Sequence, residues 1–326
     1  MSKRFYSTFN YPNSKIGDKT LLTGIRRKRN SRNVYISGFY VKANGDTTSF
    51  VYKGTVHGEG KFYNLNYPMA NTVTNLYGPN NSMYNNVRVV GNYNNEVEGN
   101  VGCLYDGPPN GMGTWTRIAL PHSINTICHS TMGRLVVGNY NRAPYINTSK
   151  AFVYDIMTKK YYDIVKKDVL SISVYGIWHN SDSSYTICGG YINEDSVIPH
   201  SIAYVADWNN DTHTISNWQS YHYNNNPSLV THFDGITGRS DGGYNLTGDD
   251  SPIGDIAFFA QISRKHYRGK FSKKAKWYPV SYPNALVTSG NSVLDNIVIG
   301  VYSGDQSENM SVNGFISNMH DNHICN

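Results

Sequence analysis

One six-residue line recurs along this chain at intervals of roughly fifty residues, about the length of a four-stranded repeat unit. It reads hydrophobic, hydrophobic, variable, Gly, variable, Tyr. The copies are YISGFY ending at Tyr40, RVVGNY at Tyr93, LVVGNY at Tyr140, TICGGY at Tyr191, NLTGDD at Asp250 and IVIGVY at Tyr302. Their glycines are Gly38, Gly91, Gly138, Gly189, Gly248 and Gly300. A second line starts on an aromatic and follows each of the first five copies: FYNLNYP from Phe62, WTRIALP from Trp115, YYDIVKK from Tyr161, WQSYHYN from Trp218 and WYPVSYP from Trp277. After the sixth copy there is none. The missing line stands at the other end of the chain, as YSTFNYP from Tyr6 to Pro12.

Each unit divides into four short strands rich in β-branched and aromatic residues and bounded by Gly, Asn and Pro turns. In the second unit these are TVTNLYG, NVRVVGNY, VGCLYDG and TWTRIALP. The first strand recurs as TLLTGI, INTICHS, SISVYGI, LVTHFDGI and ALVTSGN, short and small-residued as inner strands converging on an axis should be. The repeated glycine is expected to relieve crowding against the neighbouring unit or to bend the strand. A circular array must join its first and last members, and an N-terminal strand completing the last unit does so without leaving an open sheet edge.

The pattern resembles the β-propeller superfamily over nearly the whole chain. The resemblance implies a single domain, 1–326, of six four-stranded blades at about 20–68, 72–121, 124–167, 170–224, 229–283 and 285–319, the last completed by 5–12. The Gly-His and Trp-Asp pairs of WD40 blades are absent, and the double glycine of kelch blades does not recur in every unit. Usage rich in Asn, Tyr, Lys and Ser and poor in Ala resembles proteins from AT-rich genomes, including those of large DNA viruses, and a virion component is one expectation. Propellers host enzymes, lectins and scaffolds alike, so function has to be read from sites.

Charge is the next guide. The net charge of +6 is mild for 326 residues, but its distribution over the expected loops is uneven. Loops joining first to second and third to fourth strands carry a basic surface of Arg26, Arg27, Lys28, Arg29, Arg32, Arg264, Lys265, Arg268, Lys270, Lys273, Lys274 and Lys276, with Lys3 and Arg4 leading into the closing strand on the same side. The opposite loops are acidic and include Glu194, Asp195, Asp249 and Asp250. Clustered like charges persist where a polyanion or acidic surface neutralises them. The expected function is therefore a non-enzymatic binding or assembly module whose basic face takes an acidic partner: nucleic acid, anionic glycan or protein. The alternative is a glycan-active hydrolase or lyase on the acidic face. Against it, the four acids fall on outer loops, whereas a general acid and its partner must flank one bond.

No catalytic residue, metal ligand or cofactor is assigned. His129, His179 and His232 end or follow inner strands in successive units, but their differing contexts favour turn hydrogen bonds over a shared cation. The tail residues His320, His323 and Cys325 have only loose metal-like spacing. Cys103, Cys128 and Cys188 fall within expected strands and read as free buried thiols. No apolar run approaches the ~20 residues that span a bilayer. The basic start MSKRFYSTFNYP has no apolar stretch behind it, so no signal peptide is read, and an intracellular or virion-associated location is expected over secretion.

Overall fold

The structure is a computed structural model that describes residues 5–69, 72–95, 97–195, 200–251, 256–265, 269–304 and 311–319. It is all-β and built from repeated antiparallel sheets. After β1 (Phe5–Thr8), strands β2 (Lys19–Arg27), β3 (Val34–Val41), β4 (Thr47–Gly54) and β5 (Gly60–Asn64) form one sheet in chain order. The next contains β6 (Val73–Asn81), β7 (Val87–Asn95), β8 (Gly99–Gly107) and β9 (Thr114–Ile118). A third contains β10 (Ser123–Met132), β11 (Leu135–Arg142), β12 (Tyr145–Asp155) and β13 (Lys160–Ile164). The fourth contains β14 (Val169–Ser181), β15 (Ser184–Asn193), β16 (Ile202–Asn209) and β17 (Thr214–Tyr221).

The remaining strands make an eight-stranded sheet in two halves. One half is β18 (Val230–Gly238), β19 (Tyr244–Ser251), β20 (Ile256–Ile262) and β21 (Lys276–Val280). The other is β22 (Val287–Leu294), β23 (Ile297–Ser303) and β24 (Asn313–Asn318), with β1 antiparallel to β24 from Phe5↔Asn318 to Thr8↔Phe315. A single parallel pair, Ile256↔Thr288, links the halves.

The sheets bury their faces on one another. Tyr35 and Val51 pack with Leu76 and Val89, Leu104 with Val136 and Phe152, and Leu135 and Val153 with Val174 and Ile187. Val205 then packs with Phe233 and Leu246, and Phe259 with Val293 and Val298. Finally Leu22, Ile36 and Phe50 of the first sheet meet Ile299 and Ile316 of the last strands. The aromatic lines rivet these layers. Tyr11, Tyr67 and Tyr282, each just beyond an outer strand, stack on Tyr40, Tyr93 and Tyr302 of the following sheet, with centroids 4.7, 3.9 and 3.6 Å apart. Each such pair contributes about 0.5–1.5 kcal/mol beyond its buried area.

Cys103, Cys128 and Cys188 are buried free thiols. Burial raises their pKa and keeps them unreactive. Among the described residues, no helix is long and apolar enough to cross a membrane.

Candidate functional site

The repeated glycine has a different cause from the one expected. A Cβ on Gly38, Gly91, Gly138, Gly189, Gly248 or Gly300 would overlap a backbone carbonyl oxygen of its own sheet's inner strand, at Leu21, Asn75, Ile127, Ser173, His232 and Ser289 respectively. Crowding against the next sheet is not what excludes the side chain. The inner strand presses on the glycine because it bulges there. The ladders β2–β3, β6–β7, β10–β11, β14–β15, β18–β19 and β22–β23 all shift register two residues beyond that carbonyl. The residues displaced from the ladders are Thr23, Tyr77, His129, Tyr175, Asp234 and Asn291. A bulge re-aims a side chain, and these six all line one pocket of about 280 Å³, together with Leu21 and Phe39.

A Gly or Ser follows each displaced residue: Gly24, Gly78, Ser130, Gly176, Gly235 and Ser292. Here the inner strands approach one another closely. A Cβ on Gly235 would come within 2.8 Å of Ser292 Cα, and one on Gly78 within 2.9 Å of Ser130 Cα. Small residues thus draw the strands together while the bulges turn larger, unlike side chains inward.

One wall is an aromatic arc: Tyr77 to His129 at 5.2 Å, His129 to Tyr175 at 4.7 Å and Tyr175 to His232 at 5.8 Å between ring centroids. His129 Nε2 donates to Asn139 Oδ1 at 2.5 Å. Burial pulls its pKa down to about 4, so the ring is neutral at neutral pH. Asp234 is the acidic residue of the lining. His232, Asp234 and Asp249 bring one donor atom each within 4.8 Å of the others. Ser289 Oγ and Gly290 N, from β22, donate to Asp249 at 2.6 and 2.7 Å. Burial, and then the charge of Asp234, push the Asp249 carboxyl up to about 7.

Arg26 lies buried among the inner strands, outside the residues that line the pocket. Its guanidinium donates to the carbonyls of Ile25, Ile177 and Ile236, from three inner strands, and lies 5.6 Å from the Trp178 ring. Burial lowers its pKa to about 10, which leaves it charged. Leu21, near the start of an inner strand, lines the pocket and is partly exposed.

Two expected surface cations are therefore corrected. Arg26 is buried and held by backbone carbonyls. Arg264 is buried as well: Nη1 and Nη2 grip both carboxylate oxygens of Asp207 at 2.9 and 2.5 Å, and Nε donates to Gly269 O. Neither is free to meet a partner, because removing a fixed, desolvated guanidinium from its acceptors is costly. Arg27 is exposed and paired with Asp295 at 2.6 Å, and Lys28 donates to Asn85. Arg29, Arg32, Lys265, Lys270, Lys273, Lys274 and Lys276 are exposed and form no ion pair among the described residues. Lys3, Arg4 and Arg268, with the tail residues His320, His323 and Cys325, lie outside the described residues.

The four acids also separate. Glu194 and Asp195 are exposed in the turn after β15, outside the pocket cluster. Asp249 and Asp250 are on β19 and not on an outer loop. Asp249 is grouped with the pocket residue Asp234, while Asp250 is buried, with its pKa raised for that reason. Of the three histidines, His129 lines the pocket, and His232 lies against the pocket residues Tyr175 and Asp234. His179 is exposed, its Nε2 2.9 Å from Asp182 O. A larger hollow of about 560 Å³ lies at the turns of the β14–β17 sheet, but its buried carboxylate, Asp207, is already engaged by Arg264.

No protein-family model matches this chain, and no curated protein does. Its likeness is to solved structures. A protein of unknown function from Dyadobacter fermentans is similar over 97% of this chain and 98% of its own, with a TM-score of 0.63 at 9% identity. A luciferin-regenerating enzyme is similar over 97% of this chain and 95% of its own, with a TM-score of 0.53 at 12% identity. At such identities the likeness is one of fold: propeller-like, repeated and all-β.

Proposed function

We propose that the chain is a six-bladed β-propeller, closed by β1, that binds a small polyhydroxylated ligand of about monosaccharide size in its central pocket. The pairing of β1 with β24 supports the closed ring, as does the packing of the last strands on the first sheet. The observation that carries the binding reading is the delivery of Thr, Tyr, His, Tyr, Asp and Asn side chains to one pocket by the bulges. A packed core repeats like residues, whereas a binding site gathers unlike ones. A volume of about 280 Å³ lies just under the ~300 Å³ at which ordinary ligand pockets begin. Aromatic faces beside amide, carboxylate and imidazole groups suit a compact ligand with several hydroxyls. Glu194 and Asp195, exposed on one turn, lend no support to hydrolysis on the acidic loops.

A second reading keeps the surface cations as a docking face for an acidic macromolecule. It is favoured by the exposed lysines 265, 270, 273, 274 and 276, which have no carboxylate partner among the described residues. One thermal-shift panel separates the readings, because a ligand that binds only the folded state raises its unfolding midpoint. Monosaccharides and small hydroxy acids at millimolar concentration form one arm, heparin at low and high salt the other. The pocket reading expects a shift with a member of the first arm that Tyr77→Phe and Tyr175→Phe together abolish and Lys273→Ala with Lys274→Ala leaves intact. No shift from any small ligand, with a salt-sensitive heparin shift that the lysine variant removes, overturns it in favour of the surface.

A further inference from the structure

We propose that His232, Asp234 and Asp249 form a binding site for a divalent transition-metal cation, zinc or manganese, on the wall of the central pocket. This deepens the pocket reading and rests on it for access.

The fold brings the three together from adjacent strands. Asp234 is the displaced residue of the β18 bulge, His232 stands two residues before it, and Asp249 on β19 is the register partner of His232. Their donor atoms lie within 4.8 Å of one another. Ligands about 2.1 Å from a tetrahedral ion sit roughly 3.4 Å apart, so no pair needs to draw in by more than about 1.4 Å. His232 Nε2 and Asp234 Oδ2 are already 3.2 Å apart. Asp234 Oδ2 is buried and meets the imidazole as an ion pair, without a hydrogen bond of normal geometry. A buried carboxylate oxygen against an imidazole nitrogen, with a second carboxylate beside them, is a donor set that a cation can share.

The second layer fits too. Ser289 Oγ and Gly290 N fix the Asp249 carboxylate, as outer partners commonly orient metal ligands. The donor set decides the metal class: imidazole with carboxylates suits zinc, manganese and their neighbours, whereas calcium and magnesium prefer all-oxygen shells. Three protein ligands leave a coordination position open, and because Asp234 lines the pocket, a hydroxyl or carboxylate of a pocket ligand could complete the shell.

The test is isothermal titration of the metal-stripped full chain with Zn²⁺, Mn²⁺, Ca²⁺ and Mg²⁺. The tail residues His320, His323 and Cys325 are replaced by Ala, Ala and Ser, so that they cannot supply a competing site. Expected is one Zn²⁺ or Mn²⁺ per chain, bound at least tenfold more tightly than Ca²⁺ or Mg²⁺. Asp234→Asn and Asp249→Asn should each weaken it tenfold or more, and Glu194→Gln should leave it unchanged. Because a carboxylate variant could misfold, Mn²⁺-soaked crystals of the unmutated pocket provide a second readout: an anomalous peak among the three side chains. Loss of all binding with the tail variant, or no peak at this position, overturns the proposal. A ligand shift that persists in EDTA and still depends on Tyr77 and Tyr175 would show that the cation fails while the pocket reading stands.

Discussion

Removal of residues 1–12 leaves a chain that no longer folds to a stable monomer. β1 is the strand that covers the β24 edge, and the residues after it lock the junction: Phe9 N donates to Gly314 O, and Gly314 N donates to Asn10 Oδ1. Phe9 is buried against Tyr52 and Phe62 at 4.9 and 5.7 Å, and Tyr6 packs edge-on to Tyr282 at 5.9 Å. Loss of one buried Phe side chain costs about 3–5 kcal/mol. That is a large share of the ~5–15 kcal/mol by which domains are usually stable. The bared edge would also recruit other chains. Size-exclusion chromatography and urea unfolding check this: the truncated chain should aggregate or unfold at far lower urea, and a synthetic peptide of residues 1–14 should restore part of the loss. A soluble truncated monomer with an unchanged midpoint would mean that β1 is dispensable.

Gly248→Ala has an expected cost of about 3 kcal/mol or more, at the upper end for a single methyl group. The new Cβ would overlap the carbonyl oxygen of His232, held in place by the β18 bulge. Relief requires the bulge to flatten, which would withdraw Asp234 from the pocket. Gly45→Ala is the matched control. Gly45 has φ +92°, but nothing lies within 4 Å of its missing Cβ. Its replacement therefore costs only backbone strain, about 1 kcal/mol. Equal urea midpoints for the two variants would show that the carbonyl clash is not what keeps the glycine.

Much of the strand pattern was legible because packing repeats. The Gly and Tyr lines, the aromatic lines and the short inner strands each report a requirement met several times over. The pocket was harder to see, since a bulge displaces one residue without leaving a residue-type signature at that position. Its trace is the small residue that follows, in TG, YG, HS, YG, DG and NS, and the aligned inner strands contain it. The fifth copy of the glycine line was a second clue. It ends in Asp-Asp where the others end in Tyr, and a departure from a packing repeat marks a position with another task. The basic run misled for a physical reason. β2 continues through Arg27, so alternation turns Arg26 inward and Arg27 outward, while the run reads as one exposed loop if charge alone is counted. Arg264 misled likewise, because its acceptor Asp207 lies in a different sheet, 57 residues away.

The closed ring we propose would hold the inner strands together, and one cross-link tests that closure directly. Phe5 and Asn318 are opposite partners across β1 and β24, and facing residues of an antiparallel pair are close enough for a disulfide. In a Cys325→Ser background, Phe5→Cys with Asn318→Cys should oxidise to an intramolecular bond and stabilise the protein by up to about 4 kcal/mol, since it ties almost the whole chain into one loop. Thiols that stay reduced in the folded monomer, or that link only between molecules, would contradict the ring and the pocket at its centre.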